Sequence, residues 1–504
     1  MSLLVLALIA TVILPELFVP FGGGSPEVAT PTTLAVAAGI LPQAAIAIAA
    51  VVAGRRAVRR LRQGRGGAPH RLRVQLRSLQ WSAVLLQAVA VQLFGWLAAV
   101  RSEVGDLPGI DELLAITPAL AAIGSCWWAS HPMEQLVRPA LASRRRYVVG
   151  EFRNQLAILG VPALLAITAI EASELLAVRL LSADSALAWT ALPVAMLLVL
   201  VFAPVAMISV LDTTTLAGGT ARRIVDEVLR DNGLSLRRVL VWRTGGTLLN
   251  GAVVGVMHPW RYLLLTDAVI DMMSVESLRA VVAHEAGHLR GRHLPWLVVI
   301  AVGMVGAAGL GAEAVAESVS KALAPDPSDP LLRAVAGGRS PPPATDSVLE
   351  VALPIAVAVP VAFLGFGWVS RRFERQADTF AVRYLTRAGT RPDTGLETDA
   401  VEVRSAAVLA MCRALGRVAE LNGVDPTAPS WRHGSIQSRQ RHLVGLLGHP
   451  VGRLRIDRQI AVIKALGVIL LVAVVSIELF RSGVVSGTTD VRAPEPTWAL
   501  DATR

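Results

Sequence analysis

Long apolar runs alternate with short polar stretches through most of the chain. Nine of them approach the length that crosses a bilayer: about 2–20, 32–53, 79–100, 113–130, 155–176, 187–210, 295–316, 348–368 and 460–480. The pattern predicts a mainly α, polytopic α-helical membrane protein of about nine spans. The run at 2–20 has no positive segment before it and no clear small-residue cleavage site after it, so it reads as a retained span. Two stretches are polar enough to fold in water, about 212–293 and 369–458. Within the first, Gly218 to Asn232 has helical amphipathic spacing, and Val239–Trp242, Asn250–Val256 and Tyr262–Leu265 read as short strands. A helix begins at about Ser274, an N-cap residue with Glu276 in its first turn. The second polar stretch is mostly helical, with breaks near Asn422-Gly423 and Pro429.

The expected organisation follows. Residues 1–211 form an N-terminal membrane domain of six spans, 212–293 a first polar half, and 294–368 a two-span hairpin with an external loop at 317–347. Residues 369–458 are a second polar half, and 459–504 a terminal span and tail. No internal repeat is visible. Because two spans separate the polar halves, both lie on one face of the membrane and can build one site.

Composition agrees with the lipid reading: 53% of residues are hydrophobic and the mean hydropathy is +0.55. Basic residues exceed acidic ones, 48 to 38, and Lys321 and Lys464 are the only lysines. The arginines cluster beside apolar runs, which points to membrane orientation and away from nucleic acid. Segments 54–77 and 131–154 are rich in Arg, whereas 21–31 and 182–186 have none and 101–112 has only Arg101. The positive-inside rule therefore puts the Arg-rich loops and both polar halves in the cytoplasm, as in an integral protein of the bacterial inner membrane. Trp127, Trp128, Trp296 and Trp368 fall near inner span ends, and Trp96 and Trp189 near outer ends, as interfacial belts prefer. Cys126 and Cys412 form no CxxC pair, so a metal site must use histidines and carboxylates.

Such a set is present. His284-Glu285-Ala286-Gly287-His288 puts two imidazoles at i and i+4 on one helical face, with a carboxylate beside the first. This arrangement can hold zinc and leave Glu285 as general base for the water the metal activates. Two histidines four apart on a solvated face are the bland alternative. A third ligand must come from elsewhere. The eighth span leads into Ser370-Arg371-Arg372-Phe373-Glu374-Arg375-Gln376-Ala377-Asp378, where Glu374 and Asp378 again share one face. Glu374 would complete a His, His, Glu set, and Asp378 would accept the spare N–H of a ligating imidazole. An ordinary charged surface helix is the alternative here.

HEAGH followed after two spans by SRRFERQAD resembles the M-forty-eight family of integral-membrane zinc peptidases, whose pattern is HExxH, a membrane hairpin, then ExxxD. The resemblance implies a split, mostly helical zincin-like catalytic domain with a small β-sheet and one zinc per chain. His284, His288 and Glu374 match its ligands, Glu285 its catalytic glutamate and Asp378 its supporting aspartate. His433-Gly434-Ser435 through Arg439 is similar to a later element of the family, with Gly434 where a Pro is usual. By that resemblance His433 reaches the oxyanion and Arg439 anchors the site. Asn250-Gly251-Ala252 corresponds to a strand edge that can take up an extended peptide, with a core strand as the equal alternative. His293 reads as a helix-end or interfacial histidine. The resemblance covers about 212–293 and 369–445, and not the first six spans.

The activity expected is zinc endopeptidase action on membrane or membrane-proximal polypeptides, as in protein quality control. The rival expectation is a membrane sensor or scaffold whose protease-like domain is only a gate. A transporter would need a paired repeat or a midplane charge pair, and neither is evident.

Overall fold

The computed structural model describes residues 11, 32–63, 68–105, 107, 109–137, 143–179, 186–246, 248–323, 348–388, 401–452 and 454–481. The span expected at 2–20 (apart from Thr11), the external loop from 324 on and the tail beyond Arg481 lie outside the described residues, as do Arg65 and Arg138.

The membrane part begins with α1 (Thr32–Arg62), α2 (Ala68–Phe94), α3 (Trp96–Val104) and α4 (Ile110–Val137). It continues with α5 (Arg144–Gln155), a π-helical turn at Leu156–Gly160, α6 (Val161–Arg179) and α7 (Ala186–Val210). By length and composition, five described helical stretches can cross a membrane: Thr32–Arg62, Ile110–Leu136, Ala191–Val210, His293–Val315 and Arg455–Arg481. Two bent pairs would raise the number to seven.

Those pairs correct the sequence reading. The span expected at 79–100 is broken at Gly95, whose φ of 66° is left-handed, and its two arms meet at 72°. The span expected at 155–176 bends by 47° next to the π turn. Trp96 is not a belt anchor: it is buried and donates to the Ala115 carbonyl at 2.7 Å. The Arg-rich segments, expected as loops, are largely helix extensions, with α1 running to Arg62 and α5 starting at Arg144. Arginine is a good helix former, so a helix need not end where its apolar run does.

The polar part opens with β1 (Thr213–Thr215), a strand the apolar pattern did not signal, and α8 (Thr220–Asp231), which buries Ile224, Val225 and Val228. β2 (Arg238–Trp242), β3 (Gly251–Val254) and β4 (Tyr262–Thr266) complete a four-stranded sheet of order β1-β2-β4-β3. The β2–β4 pair is parallel, and the β1–β2 and β3–β4 pairs are antiparallel. Every residue of β4 is buried because both its faces are covered. Leu263 and Leu265 enter the core under the helices, while Tyr262 and Leu264 pack with Ala157 and Leu211 of the membrane part. Trp242 Nε1 adds a 3.2 Å bond to Asn154 Oδ1, so the sheet is fastened to α5.

After the short α9 (Asp267–Met272) come α10 (Val275–Arg290), α11 (His293–Leu323) and α12 (Val348–Ala388). The eighth expected span and the second motif are one unbroken 41-residue helix, whose side chains are described from residue 360 on. α13 (Ser405–Leu421), α14 (Ile436–Val444) and α15 (Arg455–Arg481) close the fold. One hydrophobic core joins the two polar halves: Val228, Leu265 and Ala283 of the first pack with Phe373, Met411 and Leu443 of the second. At about 25 cal/mol per Å² of buried apolar surface, this shared core is what keeps halves distant in sequence in one place.

Candidate metal centre

Two helices supply the centre. α10 starts at the Ser274 cap, whose side chain accepts from the Ser277 N–H at 3.2 Å. Ten residues later its inner face carries His284, Glu285 and His288. α12 lies across it and offers Glu374 and Asp378 from one face. The two backbones come close at Gly287, where an added Cβ would lie 3.0 Å from the Ala377 Cα.

That crossing brings three donors together. His284 Nε2 and His288 Nε2 are 3.1 Å apart, His284 Nε2 is 3.6 Å from Glu374 Oε2, and His288 Nε2 is 3.7 Å from Glu374 Oε1. Tetrahedral zinc with bonds of about 2.0–2.1 Å has ligand–ligand edges of about 3.3–3.4 Å. The donor set therefore fits zinc in both chemistry and span. Among the described residues these three are the group that could hold a metal ion.

Residues 218–423 match the model of peptidase family M48. The resemblance seen in the two motifs thus holds over α8 through α13, and an M48 match indicates a zinc metallopeptidase. His433 and Arg439 lie beyond the matched residues. No curated protein matches the chain. The crystal structure of Ste24p from S. mikatae is similar over 80% of this chain and 98% of that one, at 16% identity and a TM-score of 0.42.

Around the three donors the supporting contacts are dense. His284 Nδ1 lies 2.9 Å from Asp378 Oδ1, off the N–H axis, so the contact is electrostatic rather than an aligned hydrogen bond. Arg439 is buried and donates to both Asp378 oxygens, at 2.8 Å from Nε and 2.6 Å from Nη2, and its Nη1 is 3.3 Å from Glu374 Oε2. The guanidinium therefore braces two carboxylates. His433 Nδ1 is 2.8 Å from Glu374 Oε1, and its side chain is half exposed on the loop before α14. Gly434 follows with a left-handed φ of 74°. Proline, fixed near −65°, could not take that conformation.

Electrostatics set the protonation states. Burial drives His288 well below the ordinary imidazole value, against the pull of Glu374, and leaves it neutral. Burial alone would lower His284 too, but the Asp378 carboxylate outweighs it and the ring is raised. Burial alone would raise Glu374, yet Arg439 and then His433 hold it well below the carboxylate range, so it stays ionised. Asp378 is lowered in the same way, burial being outweighed by Arg439. Glu285 goes the other way: burial raises it, making it readier to take up a proton.

The strand β3 forms the wall beside Glu285. A Cβ on Gly251 would lie 3.4 Å from Glu285 Oε1, and the Val253 N–H donates to the Glu285 carboxylate. Thr266 N–H donates to Asn250 O at 3.0 Å, in register with Ala252 opposite Leu264. By antiparallel alternation Asn250 and Ala252 spend their main-chain groups inside the sheet, while Gly251 and Val253 face the open edge. Of the three expected edge residues only Gly251 is so placed, and Val253 replaces the other two. A cavity of about 550 Å³ runs between this edge, the three donors and His433.

One group was missed in the sequence. His293, read there as a helix-end histidine, is 2% exposed, and its Nδ1 is 2.8 Å from His288 Nδ1. Its other nitrogen is 2.9 Å from Gln376 Oε1, within the ExxxD helix. Five-residue spacing after His288 was the available signal, but the kink between α10 and α11 that turns the ring back is a tertiary feature.

Proposed function

We propose that this chain is a membrane zinc endopeptidase that cuts membrane or membrane-proximal polypeptides at the cytoplasmic face of a bacterial cell membrane, in the manner of protein quality control. The observation that carries the reading is the mutual spacing of His284, His288 and Glu374, at 3.1, 3.6 and 3.7 Å. These three residues would hold one zinc ion per chain, and the ion would supply Lewis-acid polarisation of a carbonyl and acidify a water.

The chain's own residues supply the rest. An extended polypeptide pairs with the open edge at Gly251 and Val253, which presents its scissile bond to the cavity. Glu285, one residue from His284, takes the proton of the attacking water and passes it to the leaving amine. His433, the half-exposed partner of Glu374 among the described residues, turns to donate to the developing oxyanion, a contact whose loss costs on the order of a hundredfold in rate. Arg439 and Asp378 keep Glu374 and His284 in place.

The deciding experiment compares the purified protein with Glu285→Gln on an unfolded membrane-protein substrate, with zinc content measured for both. Expected are one zinc per chain in each and cleavage by the parent alone. Zinc at one per chain with no Glu285-dependent cleavage would favour the sensor or scaffold reading. Sidedness has its own assay: a cysteine placed in 317–347, with Cys126 and Cys412 replaced, should be labelled from outside intact cells. Labelling of 54–77 instead would invert the orientation.

A further inference from the structure

His288 has two ring nitrogens, and the geometry gives each a different task. Nε2 faces His284 and Glu374, so as a ligand it must keep its lone pair, and the ring proton sits on Nδ1. Nδ1 is 2.8 Å from His293 Nδ1, which must therefore accept. The His293 proton is then on Nε2, 2.9 Å from Gln376 Oε1. The other end of that amide, Nε2, donates to Asp457 Oδ1 at 2.8 Å. Asp457 Oδ2 is held by Arg383, which also donates to the Val451 carbonyl at 2.8 Å.

The row has only one consistent polarity. A carboxylate ends it, so Gln376 must present its NH₂ to Asp457 and its carbonyl to His293, and His293 must then accept from His288. The packing enforces the same geometry. The His293 ring stacks on Phe373 with centroids 4.6 Å apart and planes within 16°. Gly291 gives the ring its room, since a Cβ there would run into it. The row crosses four helices: α10, the first residue of α11, α12, and the first turn of α15, where Asp457 sits.

We propose that His293 is a positioning residue that holds His288 with Nε2 toward the metal, and that Asp457 anchors His293 through Gln376. The terminal membrane helix α15, outside the stretch that matches M48, is then a working part of the metal centre. The inference rests on His284, His288 and Glu374 binding zinc, and it adds what orients the second ligand. Partners that orient a ligating imidazole typically change metal affinity 10–100-fold when lost, by estimates from other zinc sites.

The test uses the full chain in detergent, stripped with a chelator and titrated with zinc against a chromophoric competitor, with the visible spectrum of the cobalt-loaded protein as second readout. His293→Phe keeps the stacked ring but removes the acceptor, and should weaken zinc by about 10–100-fold and alter the cobalt spectrum. His293→Asn restores an acceptor near the Nδ1 position and should recover most of the affinity, which a merely structural role would not predict. Asp457→Ala should weaken zinc by a smaller factor, with recovery in Asp457→Asn, whose carbonyl can still accept from Gln376. Parental affinity and spectrum in His293→Phe would overturn the proposal, and parental affinity in Asp457→Ala would remove α15 from it. A parent chain that takes up no zinc would overturn the metal centre itself, an outcome read before any variant is made.

Discussion

Gly287 meets the backbone of Ala377 directly: a Cβ at 287 would lie 3.0 Å from the Ala377 Cα and 3.1 Å from its carbonyl oxygen. The small residue inside HEAGH is thus required by a helix crossing, since backbone atoms cannot rotate away as a side chain can. Gly287→Ala should push α10 off α12, separating His288 from Glu374. The expected cost is about 1–3 kcal/mol of stability from overpacking, and weaker zinc as well. Thermal unfolding with and without zinc measures both, and an unchanged zinc affinity would show that the crossing does not set the ligand spacing.

Arg439 is the cation shared by Asp378 and Glu374. Arg439→Gln leaves two buried carboxylates facing each other and should cost about 3–5 kcal/mol, the range for breaking a buried pair. Arg439→Lys keeps the charge but loses the two-pronged contact, so it should fall between. Zinc should restore part of the loss in both, because a bound cation takes over some of the guanidinium's work. Denaturant unfolding of the apo and loaded forms reads this out.

Metal removal should itself destabilise the polar halves. Free zinc at a thousand times its dissociation constant adds about 4 kcal/mol to a fold that binds it only when folded. Chelation should therefore lower the melting temperature of the parent and leave that of a His284→Ala, His288→Ala double variant nearly unchanged. Equal shifts in the two proteins would place the bound metal elsewhere.

Trp431 ties the His433 loop to the membrane helix. Its ring stacks on Phe363 at 4.0 Å with planes 6° apart, and its Nε1 donates to the Phe363 carbonyl at 2.9 Å. Trp431→Ala should free His433 without touching the three donors. Turnover should fall by roughly tenfold or more, as for a loosened transition-state contact, while zinc content stays at the parental level. Loss of zinc together with activity would mean that the loop is holding Glu374 instead.

Tyr384 joins the two halves by donating to Asp231 Oδ2 at 2.9 Å. Burial, and then the Asp231 carboxylate, push its phenol up to about 12. A folded value above the unfolded one, near 10, means that stability is complete below pH ~10 and lost as pH climbs toward 12. The parent should thus lose up to about 2–3 kcal/mol across that window relative to Tyr384→Phe, which cannot ionise. Parallel alkaline unfolding curves for the two proteins would contradict it.

Much of this architecture was legible one segment at a time. The amphipathic spacing of Ile224, Val225 and Val228 marked α8, the apolar runs Val239–Trp242 and Tyr262–Leu265 marked β2 and β4, and Ser274 marked the start of α10, because these signals are local to the backbone. The i and i+4 pairs, His284 with His288 and Glu374 with Asp378, were legible for the same reason. The bends were not. A break at Gly95 or beside the π turn at Leu156–Gly160 depends on which neighbour each helix packs against, and an apolar run carries no record of that. Nor was the phase of the strand edge legible within Asn250-Gly251-Ala252, since pairing register decides that Gly251 and not its two neighbours faces outward.

By itself, then, the sequence determined the chemistry on offer: two imidazoles, a base beside them and two carboxylates, in a chain mostly fit for lipid. Helical periodicity reaches no further than a turn or two, so it could pair residues only within a motif. The tertiary structure decided the rest. The α10–α12 crossing at Gly287 brings Glu374 to within 3.6–3.7 Å of both histidines, Arg439 is drawn in from 61 residues beyond Asp378, and His293 is turned back onto His288. The reason is physical: a shared hydrophobic core sets those distances, and no residue records in its own neighbourhood what the core will place beside it.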